Sequence, residues 1–405
     1  MKRASAIFFC SLIICLLASA VTVQAGGFAL YEWGNRALGM GTANYATGND
    51  ASVIAYNPSL MTKLKGTNVY GGVAVINPMS DVYIDGVKNT TRSVNHAVPH
   101  AYITHQVNDD LFVGLGEYTR FGLGTKYADG WVGANLLQEA MLETFSFTPS
   151  VAYKVTDDFA ISGSVEYIKG GFMIKKQVAL LAGPDELKVD VDSSALAFNL
   201  SMVYDFTDDL NIGFIYRSPV HFVGKGKATY NNPGIPLNSS GNATLTADFP
   251  ASYTVGLGYS PMENLTLEFD VVYTQWEQFD RIEFDFDGFA LPDTVEEFNY
   301  KSTWRFQLGA EYLVSDALAL RAGYVYDQTP IRHEYTSPLL PANDRQMFTL
   351  GAGYSINDIT FDLAGMYIIT KERTGLTMND GVADHAVEFK NGRTWGAGLS
   401  VGYAF

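Results

Sequence analysis

The sequence has few cysteines, few basic residues and no long apolar run beyond its first residues. Its two cysteines, among 405 residues, lie within an apolar stretch at 6–21 that follows two basic residues. Small residues end this stretch in a pattern that fits a cleavage site, so residues 1–25 are predicted to be a signal peptide. A retained anchor helix is the alternative. The remaining chain would have no disulfide, no thiol nucleophile and no thiolate-bound metal.

The chain is acidic, with 43 Asp and Glu residues against 27 Lys and Arg. Loss of the leader would leave 25 basic residues and a net charge of −18. Nucleic acid is therefore a poor partner, because phosphate binding needs clustered Lys and Arg. No apolar run near 18 residues follows the leader, so no transmembrane helix is expected. An exported chain rich in Tyr, Phe and Gly favours a bacterial outer-membrane barrel over a soluble periplasmic domain.

Apolar and polar side chains alternate in many segments after residue 66. The clearest examples are 196–206, 265–274, 304–312 and 361–368. This period of two residues predicts β-strands. In a soluble sandwich the charged face would contact water outside. In a transmembrane barrel it lines the lumen, and the apolar face contacts lipid between aromatic girdles.

Short acidic or Asn-containing turns separate pairs of these segments. They lie at 108–110, 156–158, 207–209, 261–264, 315–316 and 357–358. Longer loops are predicted near 78–97, 123–141, 179–192, 231–241, 287–299, 328–344 and 372–387, the second with a short helix. Short turns that alternate with long loops are typical of outer-membrane barrels. With a first strand near 67–76 and a last near 393–405, the prediction is an all-β fold, a 14-stranded antiparallel transmembrane barrel over residues 67–405.

Residues 26–66 differ from the rest of the chain. They lack sustained alternation, are rich in Gly, Ala and Asn, and contain only short apolar patches. A segment of this kind needs other structure around it to be ordered, and a wide barrel lumen would provide it. We therefore expect an N-terminal hatch, or plug, inside the lumen.

Several short motifs follow one another along the chain. They are Gly26-Gly27-Phe28, Ala37-Leu38-Gly39-Met40-Gly41, Asn57-Pro58-Ser59, Phe121-Gly122-Leu123-Gly124-Thr125, Trp276-Glu277-Gln278-Phe279, Trp304-Arg305 and Leu320-Arg321-Ala322-Gly323-Tyr324. Each motif is weak alone. In this order, over essentially the whole chain after the leader, they resemble the FadL family of outer-membrane long-chain fatty acid and hydrocarbon transporters. The family's hatch signature ends in Asn-Pro-Ala, and Ser59 is a similarly small replacement.

The resemblance implies passive uptake of hydrophobic small molecules, foremost long-chain fatty acids. Aromatic or aliphatic hydrocarbons are the alternative ligands. An outer-membrane lipase and a permanently sealed structural barrel are the alternative functions. The ligand would pass from the extracellular loops to an internal hydrophobic pocket and leave laterally near the third strand once the hatch rearranges. The expected partners are this ligand and the lipid and lipopolysaccharide of the outer membrane, with a monomeric chain, no catalytic residue, no metal and no cofactor.

The resemblance also indicates candidate residues in the hatch and the third strand. Phe28 matches a family Phe that reaches the inner pocket, although it would alternatively only wedge the hatch against the wall. Asn57 and Pro58 would set the hatch geometry, because Asn tolerates unusual backbone angles and Pro fixes one; an ordinary turn is the alternative. Gly114 and Gly116 would weaken strand pairing and permit a lateral gap, or would be ordinary packing positions.

Two lysines are candidates for binding a fatty carboxylate. If Trp304 faces lipid, alternation directs Lys301 towards the lumen, where a cation above an apolar pocket would pair with the head group. The alternative is a lumen charge paired with Glu311 or another acid. Lys169 would face lipid by strict alternation, and becomes a second candidate only if 170–171 break the register.

Two further patterns are typical of other chemistries. Residues 398–402 spell G-x-S-x-G around Ser400, but a nucleophile elbow needs a strand, a turn and a helix, and only three residues follow. His96, His100 and His105 lack a compact spacing for a metal, so solvated histidines are the default interpretation.

Overall fold

The computed structural model describes residues 27–178, 185–231, 239–289, 292–377 and 384–405. The predicted signal peptide lies outside the described residues, as do parts of four predicted loops. Among the helices of the described ranges, none has the length and apolar character needed to cross a membrane.

The described chain forms one antiparallel sheet of 21 strand segments. They are β1 Thr67–Ile84, β2 Val87–Thr90, β3 His96–Gln106, β4 Leu111–Tyr118, β5 Gly122–Lys126, β6 Glu139–Thr156, β7 Phe159–Val178, β8 Asp185–Thr207, β9 Leu210–Arg217, β10 Val220–Asn231, β11 Ser239–Phe249, β12 Ser252–Met262, β13 Leu265–Thr274, β14 Arg281–Asp287, β15 Thr294–Glu297, β16 Thr303–Leu313, β17 Leu318–Asp327, β18 Arg345–Ile356, β19 Ile359–Thr370, β20 Arg373–Thr377 and β21 His385–Ala404. Pairing of β1 with β21 closes the sheet into a barrel.

The segments combine into fourteen barrel strands, because six strands each consist of two consecutive segments and β2 is the return arm of a hairpin with β1. The third barrel strand, for example, consists of β4 and β5. Closure satisfies the backbone hydrogen bonds of both sheet edges, as a bilayer requires. The predicted 14-stranded antiparallel barrel is confirmed.

All six predicted short turns join neighbouring strands, but the predicted loops are too long. The strands continue past the expected ends because their pairing continues. β1 reaches Ile84, and Asp85 and Gly86, with φ of 47° and 81°, form a two-residue turn into β2. The predicted short helix in 123–141 is wrong: β5 begins this stretch, and turns follow at 132–136.

The outer face carries exposed or partly exposed aromatic residues in two rows. In one row, aromatic residues of neighbouring strands lie opposite each other. The other row lies near the opposite ends of the strands. The first row includes Tyr253, Tyr273, Trp304, Phe348, Tyr367 and Trp395, and the second includes Tyr153, Tyr204, Tyr312, Tyr354 and Tyr403. Aliphatic residues such as Leu350 and Leu363 lie between them, 71% and 58% exposed. An apolar band between two aromatic girdles is the lipid-facing surface of a membrane barrel.

Residues 27–66, called the N-terminal segment below, lie inside this wall. The segment contains α1 (Asn35–Gly39), α2 (Val53–Tyr56) and a 3-10 helix (Pro58–Lys63). Helices this short are not stable alone. Their stability comes from burial, since many of the segment's apolar residues pack in a cluster with inward wall residues such as Tyr102 and Phe112.

Glycines in the wall allow the N-terminal segment to approach closely. A Cβ added to Gly323 would lie 2.0 Å from the Gly41 nitrogen, and one on Gly213 would lie 1.9 Å from the Tyr45 carbonyl oxygen. Both contacts are with backbone atoms, which cannot rotate away. The wall and the segment are therefore complementary in shape at the level of the main chain.

We expect Gly323→Ala to lower the thermal unfolding midpoint and to increase proteolysis of the N-terminal segment. The added methyl overpacks a site with no free space, which typically costs about 1–3 kcal/mol. Differential scanning calorimetry and limited trypsin digestion would measure both effects. Gly365→Ala is the matched control, because its Cβ would meet nothing closer than 3.9 Å. Equal midpoints for the two variants would contradict the close fit.

Candidate functional site

The barrel wall is interrupted in its third strand. β4 ends at Tyr118 and β5 begins at Gly122. β3 pairs with β4 only as far as Ala101 opposite Glu117, and among the described strands β5 pairs only with β6. After residue 118, the wall therefore separates between β3 on one side and β5 with β6 on the other.

The break does not lie at the predicted glycines. Gly114 and Gly116 belong to an intact ladder, opposite Thr104 and Tyr102 of β3. A Cβ on either glycine would lie within 2.8 Å of Ile54. These two glycines therefore make room for the N-terminal segment, and any part they have in gating stays a prediction.

The start of the N-terminal segment covers the break. The Leu30 amide donates to the Arg120 carbonyl, and the Gly122 amide donates to the Phe28 carbonyl, both at 3.0 Å. Ala29 thereby forms an isolated bridge with Phe121. Three residues of the segment thus act as a short strand where the wall strand is missing.

Phe28 anchors this short strand in an aromatic cage. Its ring centroid lies 4.8 Å from that of Trp276, 5.0 Å from Phe279, 5.1 Å from Phe249 and 5.9 Å from Phe121. Three of these contacts are edge-on, a favoured geometry worth about 0.5–1.5 kcal/mol for a pair beyond area burial. The structure places Phe28 in the inner apolar cluster; its contact with a ligand stays a prediction.

An apolar cavity lies beside Phe28. Its walls are formed by Phe28, Leu123, Leu142, Phe172, Phe222, Leu245, Ala247, Phe249, Phe279, Ile282, Tyr300, Leu339 and Leu340. The free space is about 20 Å³, and an adjoining chamber of about 380 Å³ shares four of these residues. The chamber extends past Gly124 to Phe145, whose side chain is exposed on the outer face. It therefore connects the lumen with the interrupted wall.

Lys301 follows Tyr300, a residue of the cavity wall. Its amide donates to the Pro330 carbonyl at 2.9 Å, and its side chain is half-buried. No carboxylate of the described residues lies within 4.0 Å of its ammonium group; Glu311, the alternative partner, binds Arg36 and Arg321. Burial and the nearby Arg373 lower the pKa of Lys301.

Asp344 is a buried acidic residue that interacts electrostatically with Lys301. It is 4% exposed and accepts a hydrogen bond from the Tyr326 hydroxyl at 3.1 Å. Burial raises its pKa to about 6, against opposing effects of that hydrogen bond and of Lys371 and Lys301. Its charge therefore changes near pH 6.

Lys169 does not lie near the cavity. β7 and β8 pair without a shift through Lys169 opposite Ser194, Gly170 opposite Ser193 and Gly171 opposite Asp192. The glycines therefore keep the register, and strict alternation directs Lys169 outward, where it is exposed. The suggestion that a register break turns this lysine inward is corrected by the continuous ladder.

Asn57 attaches the other end of the N-terminal segment to the wall. Its Nδ2 donates to the Tyr45 carbonyl at 2.7 Å and to the Met202 carbonyl of β8 at 3.1 Å. Its Oδ1 accepts from the Ser59 amide at 3.2 Å, and Pro58 begins the 3-10 helix. One side chain thus links the segment's turn to the barrel.

Buried charges of the wall bind the segment at points that sequence reasoning missed. Glu268 of β13 accepts from the amides of Ala46 and Thr47 at 2.8 and 2.9 Å. Arg36 of the segment pairs with Glu311 of β16 at 2.9 Å. Alternation predicts that Glu268 and Glu311 face inward, but partners more than 200 residues away leave no local pattern in the sequence.

Ser400 and His100 do not form a complete nucleophile site. His100 Nε2 lies 2.8 Å from Ser400 Oγ, which also accepts from Asn35 Nδ2 at 2.7 Å. His100 Nδ1 has no hydrogen-bond partner within the described ranges, so the group that would orient a general base is missing there. The same ranges contain no group of three His, Cys, Asp or Glu residues arranged to hold a metal.

A closed barrel with a lipid-facing band, an internal segment that covers a wall break and an apolar cavity define an outer-membrane channel. Residues 16–405 match the family described as outer membrane protein transport protein (OMPP1/FadL/TodX). The chain belongs to this family and is an outer-membrane transporter for hydrophobic compounds.

The chain is similar in sequence to other outer-membrane proteins, of which one is named for its cargo and one is not. The chain is 29% identical over 397 residues to a 47 kDa outer membrane protein of Pasteurella multocida, covering 89% of this chain and 92% of the relative. It is 25% identical over 439 residues to the long-chain fatty acid transport protein of Escherichia coli K12, covering 95% and 96%.

Solved structures agree in fold. A FadL homologue of Pseudomonas aeruginosa aligns with a TM-score of 0.86 at 20% identity, covering 94% of this chain and all of that one. The toluene transporter TbuX of Ralstonia pickettii aligns with a TM-score of 0.75 at 19% identity, again covering 94% and 100%. At these identities the likeness establishes the barrel fold alone.

We expect Phe28→Ala to release the short strand at the break. Removing a buried Phe typically costs about 3–5 kcal/mol. Because the Phe28 cage holds the short strand in place, this loss should weaken its two backbone hydrogen bonds to the wall. Hydrogen–deuterium exchange of the Leu30 and Gly122 amides should accelerate at least about tenfold. Phe206→Ala is the matched control, because Phe206 is 55% exposed on the outer face. Unchanged exchange in Phe28→Ala would show that the cage does not hold the strand.

Proposed function

We propose that the protein carries long-chain fatty acids across the outer membrane, with the acyl chain in the adjoining chamber and the apolar cavity at Phe28 and the carboxylate near Lys301. The observation that carries this proposal is the pairing of an apolar cavity with a half-buried cation that has no acidic partner among the described residues. Apolar walls favour the tail, and the cation favours an anionic head. The name of the Escherichia coli relative supports the same ligand class.

The proposed route uses the N-terminal segment as a hatch. Among the described residues, two backbone hydrogen bonds, the Phe28 cage and apolar packing hold its first residues at the wall break. The remainder is tied to the wall by Glu268, Arg36 and Asn57. Movement confined to 27–30 would join the chamber to the outer face at Phe145, so a ligand would leave laterally into the membrane. The process is passive and driven by the ligand's concentration gradient.

The proposal includes a monomeric barrel in contact with the lipid and lipopolysaccharide of the outer membrane. One chain closes the barrel, and its apolar band faces outward in every direction, which supports a monomer surrounded by lipid. The exposed Lys169 lies next to Tyr167 on the outer face, where a cation would contact anionic groups of lipopolysaccharide.

Hydrocarbon uptake is the second candidate function. Among the described residues that form the cavity walls, Tyr300 alone has a polar side-chain group, so an aromatic or aliphatic hydrocarbon would also fit their chemistry. The two candidates differ in what they require of Lys301. A fatty acid would use its charge, and a hydrocarbon would not.

We expect Lys301→Ala to weaken fatty acid binding about tenfold, because a charge-assisted contact to the carboxylate is lost. Toluene uptake should be unchanged. Equilibrium binding of radiolabelled palmitate to purified protein, and toluene uptake by cells, would measure the two effects. Lys169→Ala, which removes an exposed lysine from the outer face, is the matched control and should change neither. Equal loss of both ligands in Lys301→Ala would instead favour a structural role for the lysine.

We expect the affinity for an alkyl sulfonate, whose head group stays ionised, to fall as the pH rises from 5 to 7.5. The pKa of Asp344 is raised to about 6, so this carboxyl is neutral at the lower pH and repels the anion at the higher one. Titration calorimetry at several pH values would detect the change. In Asp344→Asn the dependence on pH should disappear; persistence of the same profile would assign it to another group.

A further inference from the structure

Six arginines of the described residues are buried, and most have acidic partners. Arg36, Arg120, Arg305 and Arg321 each form an ion pair with a carboxylate at 2.5–3.1 Å. A buried cation needs such a partner, because removal from water costs several kcal/mol per ion. Arg217 and Arg373 are the two exceptions within the described ranges.

Arg217 has other partners in place of a carboxylate. Its guanidinium donates to the carbonyls of Ala55 and Tyr56, where α2 ends and carbonyl groups lack helical partners. It also lies 4.9 Å from the ring centroid of Trp33, a favourable cation–π distance. Arg217 therefore binds the N-terminal segment directly.

Arg373 has no comparable set of partners. Its side chain is 7% exposed, its Nε donates to Thr336 Oγ1 at 3.1 Å, and its Nη2 donates to the Ile331 carbonyl at 2.9 Å. Its Nη1 is buried and makes no hydrogen bond to any described residue. Asp344 and Glu334 are near enough to influence it, but neither lies within 4.0 Å. Two neutral acceptors do not balance a buried positive charge.

The location of Arg373 connects it with the apolar cavity. It holds the loop 328–344 through Ile331 and Thr336, and Leu339 and Leu340 of the same loop line the cavity. It also interacts electrostatically with Tyr300, a cavity residue, and with Lys301. The edge of the cavity that carries Tyr300 is thus positively charged.

The geometry points to Arg373 as the receptor of the anionic head group, with its Nη1 donating to a carboxylate or sulfonate oxygen of a long-chain amphiphile whose tail enters the cavity. This inference deepens the proposed function and rests on it. A guanidinium that already donates from Nε and Nη2 is held in a fixed orientation, which suits recognition of an oxyanion. Lys301 adds charge beside it, whereas Arg373 supplies the directed donor.

The test compares ligands that share a tail and differ in the head group. Palmitate, hexadecanol and acetate are titrated into wild-type protein, Arg373→Gln and Arg332→Gln in a non-ionic detergent at pH 8. Arg373→Gln should weaken palmitate binding about tenfold to a hundredfold and leave hexadecanol within about twofold. Arg332, an exposed cation of the same loop, is the matched control and should alter neither. Acetate, an anion without a tail, should not compete.

Several outcomes would overturn the inference. Unchanged palmitate affinity in Arg373→Gln would exclude a head-group contact, and equal losses of palmitate and hexadecanol would assign Arg373 to holding the loop. Competition by acetate would indicate a general anion site. Absence of palmitate binding in the wild type would instead refute the proposed function itself.

A measurement on the wild type keeps the inference testable if Arg373→Gln does not fold. The carboxyl ¹³C resonance of bound [1-¹³C]palmitate reports its ionisation. Contact with a guanidinium stabilises the carboxylate, so the bound head group should stay ionised at a lower pH than palmitate in detergent micelles. A bound carboxyl that protonates at a higher pH would contradict the contact, because it would then lie in apolar surroundings.

Discussion

The structure depends on the fit between the inner wall of the barrel and the N-terminal segment. A closed barrel directs alternate side chains inward, and several of these are charged groups that are buried by the N-terminal segment and need partners there. Glu268 receives backbone amides of the segment, and Arg217 donates to the carbonyls at the end of α2. The segment in turn has too little helix to be stable without the wall. Each part therefore provides the hydrogen-bond partners that the other lacks.

This dependence is unevenly distributed along the segment. Ion pairs and hydrogen bonds of Arg36, residues 44–47 and Asn57 attach its middle and end to several strands. The first residues contact the wall through apolar packing and two backbone bonds at the break between β4 and β5. Apolar packing can exchange one hydrocarbon surface for another at little cost, whereas buried ion pairs cannot be opened without desolvation penalties. A hydrophobic ligand would thus compete with Phe28 for the same apolar surface and leave the anchored part in place.

The charges around the apolar cavity follow a second arrangement. Most inward cations of the wall are matched with acids, as Arg305 is with Asp327. At the edge of the cavity, Lys301 and Arg373 have no acid within 4.0 Å among the described residues. Asp344, close by, is partly neutral near pH 6 because of its burial. The cavity therefore combines an apolar interior with a locally positive edge, which is the arrangement that the proposed binding of a fatty acid would use.

The sequence by itself determined the barrel. Period-two alternation defined the strands and correctly directed Arg305 inward and Trp304 outward, because lipid and lumen impose opposite polarity on neighbouring positions. Turn residues gave the strand pairs and hence the count of fourteen. Only the tertiary structure decided the position of the wall break, the unbroken register at Gly170 and Gly171 beside Lys169, and the isolation of Arg373. Those properties depend on register and on contacts between residues far apart in the chain, such as Arg373 with Ile331 and Ala29 with Phe121, and a local pattern carries no record of them.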